Sequence, residues 1–270
     1  MQFSKLLSEF NYIRHFELKQ VLIRPSLIKM KKALFFIPVF LILIKAASYA
    51  QKKVAVVTFY MNKQIDLSEF SASKDVDIQS KLNDDPKFNL TPLLSNFHTR
   101  FFNNYASNFP FQLLPEGDVT NNSEYKAFIP AGDNSKGAYD DKHAFLPIDG
   151  YKVILPYVSH ANERKLIKIF NQCDGVMKVY VYFSLVKYGV AGMGVVKIEA
   201  HSDISLYNKD GDQIFSIKEA AKSRNMNTLT GGIPKMSADK ILPMCQSAMD
   251  ELISTVQKDL PKLVKNGPTL

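Results

Sequence analysis

The chain has 270 residues, 46% of them hydrophobic and 22% charged, with a formal net charge of +8. Residues 1–50 hold eight Lys/Arg against Glu9 and Glu17, so the remaining 220 residues keep 26 basic and 24 acidic groups, a net +2. A balance this even, with no run of clustered basic residues, argues against a nucleic-acid binder, and 220 residues suit one domain with a sizeable core.

Residues 30–50 read as a secretory signal peptide. Lys31 and Lys32 follow Met30, an apolar stretch runs from Ala33 to Ile44, and Ser48-Tyr49-Ala50 is a small-x-small cleavage sequence. The apolar stretch is well short of the roughly 20 residues that span a bilayer, and Lys45 closes it. Cleavage between Ala50 and Gln51 is therefore predicted, which makes the product periplasmic or secreted. An uncleaved leader would instead anchor the chain, its one expected route to a membrane. Residues 1–29 read as a start-site overcall or an extended n-region. No cysteine stands near the cleavage point to take a lipid.

Lys53-Val-Ala-Val-Val-Thr-Phe59 opens the predicted domain as a buried strand. Residues 62–89 are polar and read as a long loop. Thr91-Pro92 reads as a helix start with Thr91 as N-cap, followed by Leu93, Leu94, Phe97, Phe101 and Tyr105 at helical spacing. Residues 111–115 suggest a second strand, residues 116–149 another long polar connection, and residues 151–158 a strand weakened by Pro156.

Ser159 is the expected cap of a helix carrying Leu166, Ile167 and Phe170. Residues 176–186 and 195–207 alternate cleanly and predict two strands around a Gly-rich turn at residues 189–194. Asn208-Lys-Asp-Gly-Asp212 is a turn leading into a return strand at residues 213–221, which completes an antiparallel three-strand meander. Residues 222–234 read as loop. From Ser237 a last helix places Ile241, Cys245, Ala248, Met249, Leu252, Val256 and Leu260 on one stripe, with Pro243 expected in its first turn and Pro261 at its end.

The predicted fold is a single α/β domain with a mixed sheet: β-α-β-α, then the three-strand meander and a C-terminal helix. Three segments carry a resemblance: the opening strand Val54-Ala-Val-Val-Thr-Phe59, the helix-to-strand step Asn171-Gln-Cys-Asp-Gly-Val-Met177, and the strand–turn–strand Ile204-Ser-Leu-Tyr-Asn-Lys-Asp-Gly-Asp-Gln-Ile214. Together they resemble the bacterial envelope α/β domains of the TolB amino-terminal and CsgG type. The resemblance implies a non-enzymatic binding or scaffolding role in the envelope, with an unidentified protein or glycan as partner. The chain departs from that group in its two long polar connections and in lacking a lipidated cysteine.

Motifs for chemistry are sparse. Gly189-Val-Ala-Gly-Met-Gly194 has the wrong order for a dinucleotide fingerprint and no helix behind it, so no cofactor is expected. Asn208, Asp210 and Asp212 lack the in-register Gly and Glu of a calcium loop, and no metal site is predicted. No nucleophile elbow or zinc-protease motif occurs, so no catalytic residue is assigned. The candidate binding surface is the polar meander face with Tyr180, Tyr182, Glu199, His201, Asp203 and Tyr207, to which Tyr188 is adjacent. Glu199, His201 and Asp203 would also be the residues of a secreted hydrolase with a non-obvious site, the alternative function. Cys173 and Cys245 are either a disulfide or two buried thiols; spacing does not decide.

Overall fold

The computed structural model describes residues 51–70, 82, 85–131, 144–156, 160–190, 193–230, 233–234, 237–266 and 270. The leader at residues 1–50, Ser159, His143 and the tip of the Gly-rich turn lie outside the described residues.

The molecule is a mixed α/β domain. β1 (Lys53–Asp66) is followed by α1 (Thr91–Arg100), which continues through a π-helical turn at Phe101–Tyr105 and a 3-10 turn at Ala106–Asn108. Then come β2 (Gln112–Leu113), α2 (Glu116–Thr120), α3 (Ser123–Ala127), β3 (Phe145–Pro147) and α4 (Ala161–Ile169). β4 (Gly175–Val190), β5 (Met193–Asn208) and β6 (Gln213–Lys222) form the meander, and β7 (Asn227–Thr230), β8 (Ile233–Pro234) and α5 (Ala238–Asn266) complete the chain. No helix of the described residues is long and apolar enough to cross a membrane.

The sheet runs β2-β1-β4-β5-β7-β8, with β3 on β1 and β6 on β5. β1 is parallel to β2 and β4, whereas β4, β5 and β6 are antiparallel neighbours. The position of β1 inside the sheet, between β2 and β4, explains its apolar run: successive side chains point to opposite faces and both faces are covered, so Val54 to Val57 are all buried. One face packs against α1 and α5. There Val179, Val181 and Phe183 of β4 and Ile198, Ala200, Ile204 and Leu206 of β5 are buried to 0% exposure. The whole predicted stripe of α5, from Ile241 to Leu260, is buried as well.

Several expectations are corrected. β1 does not end at Phe59 but continues to Asp66, because β3 pairs with Tyr60 to Asn62 and β4 with Tyr60, Met61, Ile65 and Asp66. The connection at residues 116–149 accordingly holds α2, α3 and β3. Its short α3 is capped by Asn122, whose Oδ1 accepts from the Tyr125 amide at 3.0 Å. Thr91 is not an N-cap: Leu90 is, and Asn89 Oδ1 takes the Thr91 N–H. Residues 151–155 form no strand; instead Lys152 is held by its backbone, its carbonyl accepting from Thr58 Oγ1 and its amide donating to Tyr125 Oη. His160 precedes α4 as its N-cap. The supposed loop after Lys222 contains β7, which pairs with Val195 and Val196 of β5.

Pro243 and Pro261 both lie inside α5. Each removes one helical hydrogen bond at a cost of about 3 kcal/mol. Seven large apolar side chains of this helix are buried, at roughly 1.5–3 kcal/mol each, so the tertiary face outweighs both prolines.

The β6 turn is as read. Asn208 Oδ1 accepts from the amides of Asp210 and Asp212, and Gly211 takes φ +85°. Gly175 is needed for a different reason: a Cβ there would lie 2.4 Å from the Tyr207 carbonyl oxygen across the β4–β5 ladder. Gly175→Ala is expected to destabilise the domain by about 1–3 kcal/mol, read as a lower urea midpoint at unchanged slope. An unchanged midpoint would show that the two strands separate there freely.

Candidate functional site

The β4–β5 register fixes what the second sheet face presents. Tyr180 stands opposite Asp203, Tyr182 opposite His201, Ser184 opposite Glu199, and Lys178 opposite Ser205. Period-two alternation turns all of these away from α5. Phe145, Tyr60, Tyr180, Tyr182 and His201 form a ladder of rings from β3 across β1 and β4 to β5. Its last steps are parallel stacks, Tyr180 on Tyr182 at 5.1 Å and Tyr182 on His201 at 4.4 Å between centroids.

His201 is the most constrained member. Ser184 Oγ lies 2.8 Å and Glu199 Oε2 3.6 Å from its Nε2. Burial holds its pKa below the ordinary histidine value, against the opposing pull of Glu199 and Asp66. The imidazole is thus mostly neutral at pH 7. Ser184 and Glu199 meet the same ring nitrogen, whereas a nucleophile–base–acid relay needs the acid on the opposite one. Asp203 lies opposite Tyr180 and is committed elsewhere: its Oδ1 accepts from Ser205 Oγ at 2.6 Å and Ser216 Oγ at 2.9 Å, and Lys218 Nζ stands 3.5 Å from Oδ2. The hydrolase alternative gains no geometry from these three residues.

Tyr207 is not exposed, as the sequence suggested, but buried to 3%. His160, which caps α4, packs on its ring, and the Lys178 ammonium lies 5.0 Å from the ring centroid. Its hydroxyl donates to Gln213 Oε1 at 3.3 Å. Burial first, then the carboxylates of Glu163 and Asp203, push its phenol up to about 12. Below it, Lys178 of β4 and Glu163 of α4 form a buried ion pair.

Five of the six candidate residues, all but Glu199, line one cleft of about 270 Å³. Pro156, Ser205, Gln213 and Lys218 contribute to its walls. Glu199 belongs to the same face but pairs toward Lys222, beyond the cleft. Ser184 was missed by sequence reasoning although it sits two residues from Tyr182, the spacing that identified the others. Pro156 and Gln213 carried no sequence signal, because they come from other elements.

Cys173 and Cys245 are both free and buried. Burial raises the pKa of each thiol, which leaves neither a reactive nucleophile. No cluster of three metal-ligating side chains occurs among the described residues. A second polar cluster lies on the α1 side of the sheet. His98 Nε2 is 2.6 Å from Glu116 Oε1, and Tyr151 Oη donates to the same oxygen at 3.1 Å. It joins α1, α2 and the segment after β3, and we read it as a structural brace.

No protein-family model matches the chain, and no curated protein matches it. Among solved structures it is similar to a protein described as a neuraminyllactose-binding hemagglutinin homologue from Helicobacter pylori, with a TM-score of 0.31, 9% identity, and coverage of 80% of this chain and 86% of that one. It is also similar to lipoprotein GNA1162 from Neisseria meningitidis, with a TM-score of 0.29, 12% identity, and coverage of 78% and 99%. Neither is described as TolB or CsgG. At these scores the likeness is a loose one of fold, and it assigns no role to this chain.

Proposed function

We propose that this is an exported, non-catalytic cell-envelope protein that binds its partner through the second sheet face. The observation that carries the binding role is the convergence of Tyr180, Tyr182, His201, Asp203 and Tyr207 on one open cleft, with His201 bonded in a way that does not form a relay. A concave polar and aromatic surface on a rigid sheet is suited to recognition. The leader-like residues 30–50 support export.

The intact mass of protein recovered from a soluble envelope fraction tests the localisation. A mass beginning at Gln51 is expected, with no change on reduction, since both thiols are free. Recovery only from membranes, with residues 30–50 still attached, would replace export with anchoring. Binding is tested by passing an envelope extract over the immobilised domain. Retention of a component by the native domain and its loss in Tyr182→Ala supports the face; equal retention by both refutes it.

A further inference from the structure

A second concavity lies at the other end of the sheet. β2 is the outermost strand there, and a cavity of about 410 Å³ opens beside it, within the roughly 300–1,000 Å³ of ordinary ligand pockets. Its apolar wall includes Phe102, Phe109, Phe111, Leu113 and Leu114, and the Phe109 and Phe111 rings are stacked at 5.0 Å between centroids. Ser107 also borders it, but its hydroxyl donates to the Asn104 carbonyl at 3.1 Å. Gln51 and Gln112 are polar without charge. Glu116 is the one charged side chain of the lining among the described residues.

One oxygen of that carboxylate is tied down and the other is open. His98 Nε2 and Tyr151 Oη both meet Oε1, at 2.6 and 3.1 Å. The His98 ring is itself packed between those of Phe59 and Phe102, so the brace fixes where the carboxylate stands. Oε2 takes no partner among the described residues, and the side chain is 36% exposed. Lys52, which follows Gln51 in the chain, is paired with Asp174 at 3.5 Å and does not neutralise Glu116.

The strand edge adds a backbone component. The amides of Gln112 and Leu114 donate to the carbonyls of Lys52 and Val54, at 2.8 Å each. Alternation therefore turns the N–H and C=O of Leu113 away from β1, and neither has a partner among the described residues. An open edge of this kind can take an added strand. Gln112 and Leu113 also line the cavity, so a strand laid along that edge passes its mouth.

Charge then selects the ligand. An anion would face Glu116 with no cation in the lining to offset it. A wholly apolar side chain would cover the carboxylate and give it no partner. A cation on an apolar stem meets both demands: the stem lies along the rings and the head reaches Oε2.

We infer that the cavity beside β2 is a second docking site, which takes an extended peptide segment with its backbone paired to Leu113 and a Lys or Arg side chain seated against Glu116. It is separate from the cleft on β4 and β5, so its failure would leave the reading of that cleft untouched.

The test titrates the phenylalanine-labelled full chain with acetyl-Thr-Val-Lys-Val-Thr-amide and follows the ring NMR signals of Phe102, Phe109 and Phe111. Saturable shifts are expected, with half-saturation at or below about 1 mM. The same peptide with Leu or Glu in place of Lys should bind at least about threefold more weakly. Glu116→Gln keeps an acceptor for Tyr151 and removes the charge. It should weaken the Lys peptide about three- to tenfold and leave the Leu peptide unchanged, a selective loss that a merely structural role would not produce. Leu113→Pro deletes an N–H that makes no bond within the fold and should weaken every peptide. Of two peptides methylated on alternate amides, one should lose about three- to tenfold and the other little, because only one edge of an added strand meets Leu113.

Equal binding of the Lys and Glu peptides would overturn the basic side chain, as would a Glu116→Gln protein that still prefers Lys. If n-butylammonium binds as tightly as the peptide, or Leu113→Pro changes nothing, strand addition is wrong. Absence of any shift with the Lys peptide would remove the site. Should Glu116→Gln fail to fold, the Lys, Leu and Glu peptides on the native chain decide the charge preference by themselves.

Discussion

Lys178→Ala is expected to cost the domain about 3–5 kcal/mol, the penalty for leaving one partner of a buried ion pair uncompensated. Lys178 is 5% exposed and Glu163 1%, and their ammonium and carboxylate are in contact. Glu163 Oε2 has no hydrogen-bond partner among the described residues, so Lys178 is what compensates this carboxylate. Replacing both partners with apolar side chains, Lys178→Met with Glu163→Leu, should recover most of the loss, because the double change removes both desolvation penalties. Urea unfolding of the two singles and the double gives the coupling directly. A Lys178→Ala loss below about 1 kcal/mol would mean that water reaches the pair.

Phe59→Ala should be comparably damaging, at about 3–5 kcal/mol. Phe59 is fully buried and its ring lies within 4.9–6.3 Å of those of His98, Phe101, Phe97, Phe102 and Tyr151. Truncation leaves a cavity walled by rings on three elements that cannot all close in. It also loosens the footing of His98, whose bond to Glu116 holds α1 to α2. Phe59→Leu keeps most of the volume and should cost clearly less, below about 2 kcal/mol. Equal losses for the two variants would show that ring geometry, not volume, is what β1 contributes there. With a total stability of order 5–15 kcal/mol for such a domain, either large loss is visible as a shifted midpoint and as poorer recovery of soluble protein.

The meander and the last helix were legible because their periods are undisturbed. β5 alternates from Val196 to Leu206 with Ser202 the polar residue on its buried face, and the α5 stripe steps by three and four past Pro243 as far as Leu260. The same alternation found Tyr180, Tyr182, His201 and Asp203, since period two assigns a face. It does not say what covers that face. Tyr207 shares their parity but lies under His160 and beside Lys178, from elements far away in the chain. The outer half of β1 was lost for a related reason. Asn62-Lys-Gln64 interrupts the apolar run, and the stretch is held as strand by distant partners, β3 at Asn62 and β4 at Ile65 and Asp66. β7 reads as loop because Asn227 and Thr228 gain their partners from Val196 and Val195 rather than from any local pattern. Neighbouring residues indicate an element's type; its cover and its edges come from distant ones.

The pairing of β1 with β4 has a consequence for how the chain acquires its structure. Lys53 is tied to Asp174, 121 positions further on, and the parallel ladder continues from there. The β4–β5 hairpin needs only its own turn and can form early, whereas β1 must wait for the long loop to close. Until then its first half is an unaccompanied, uncharged, β-prone stretch from Val54 to Met61, the kind of segment that self-associates when exposed. Synthesis therefore delivers this adhesive stretch 121 positions ahead of the long strand it pairs with.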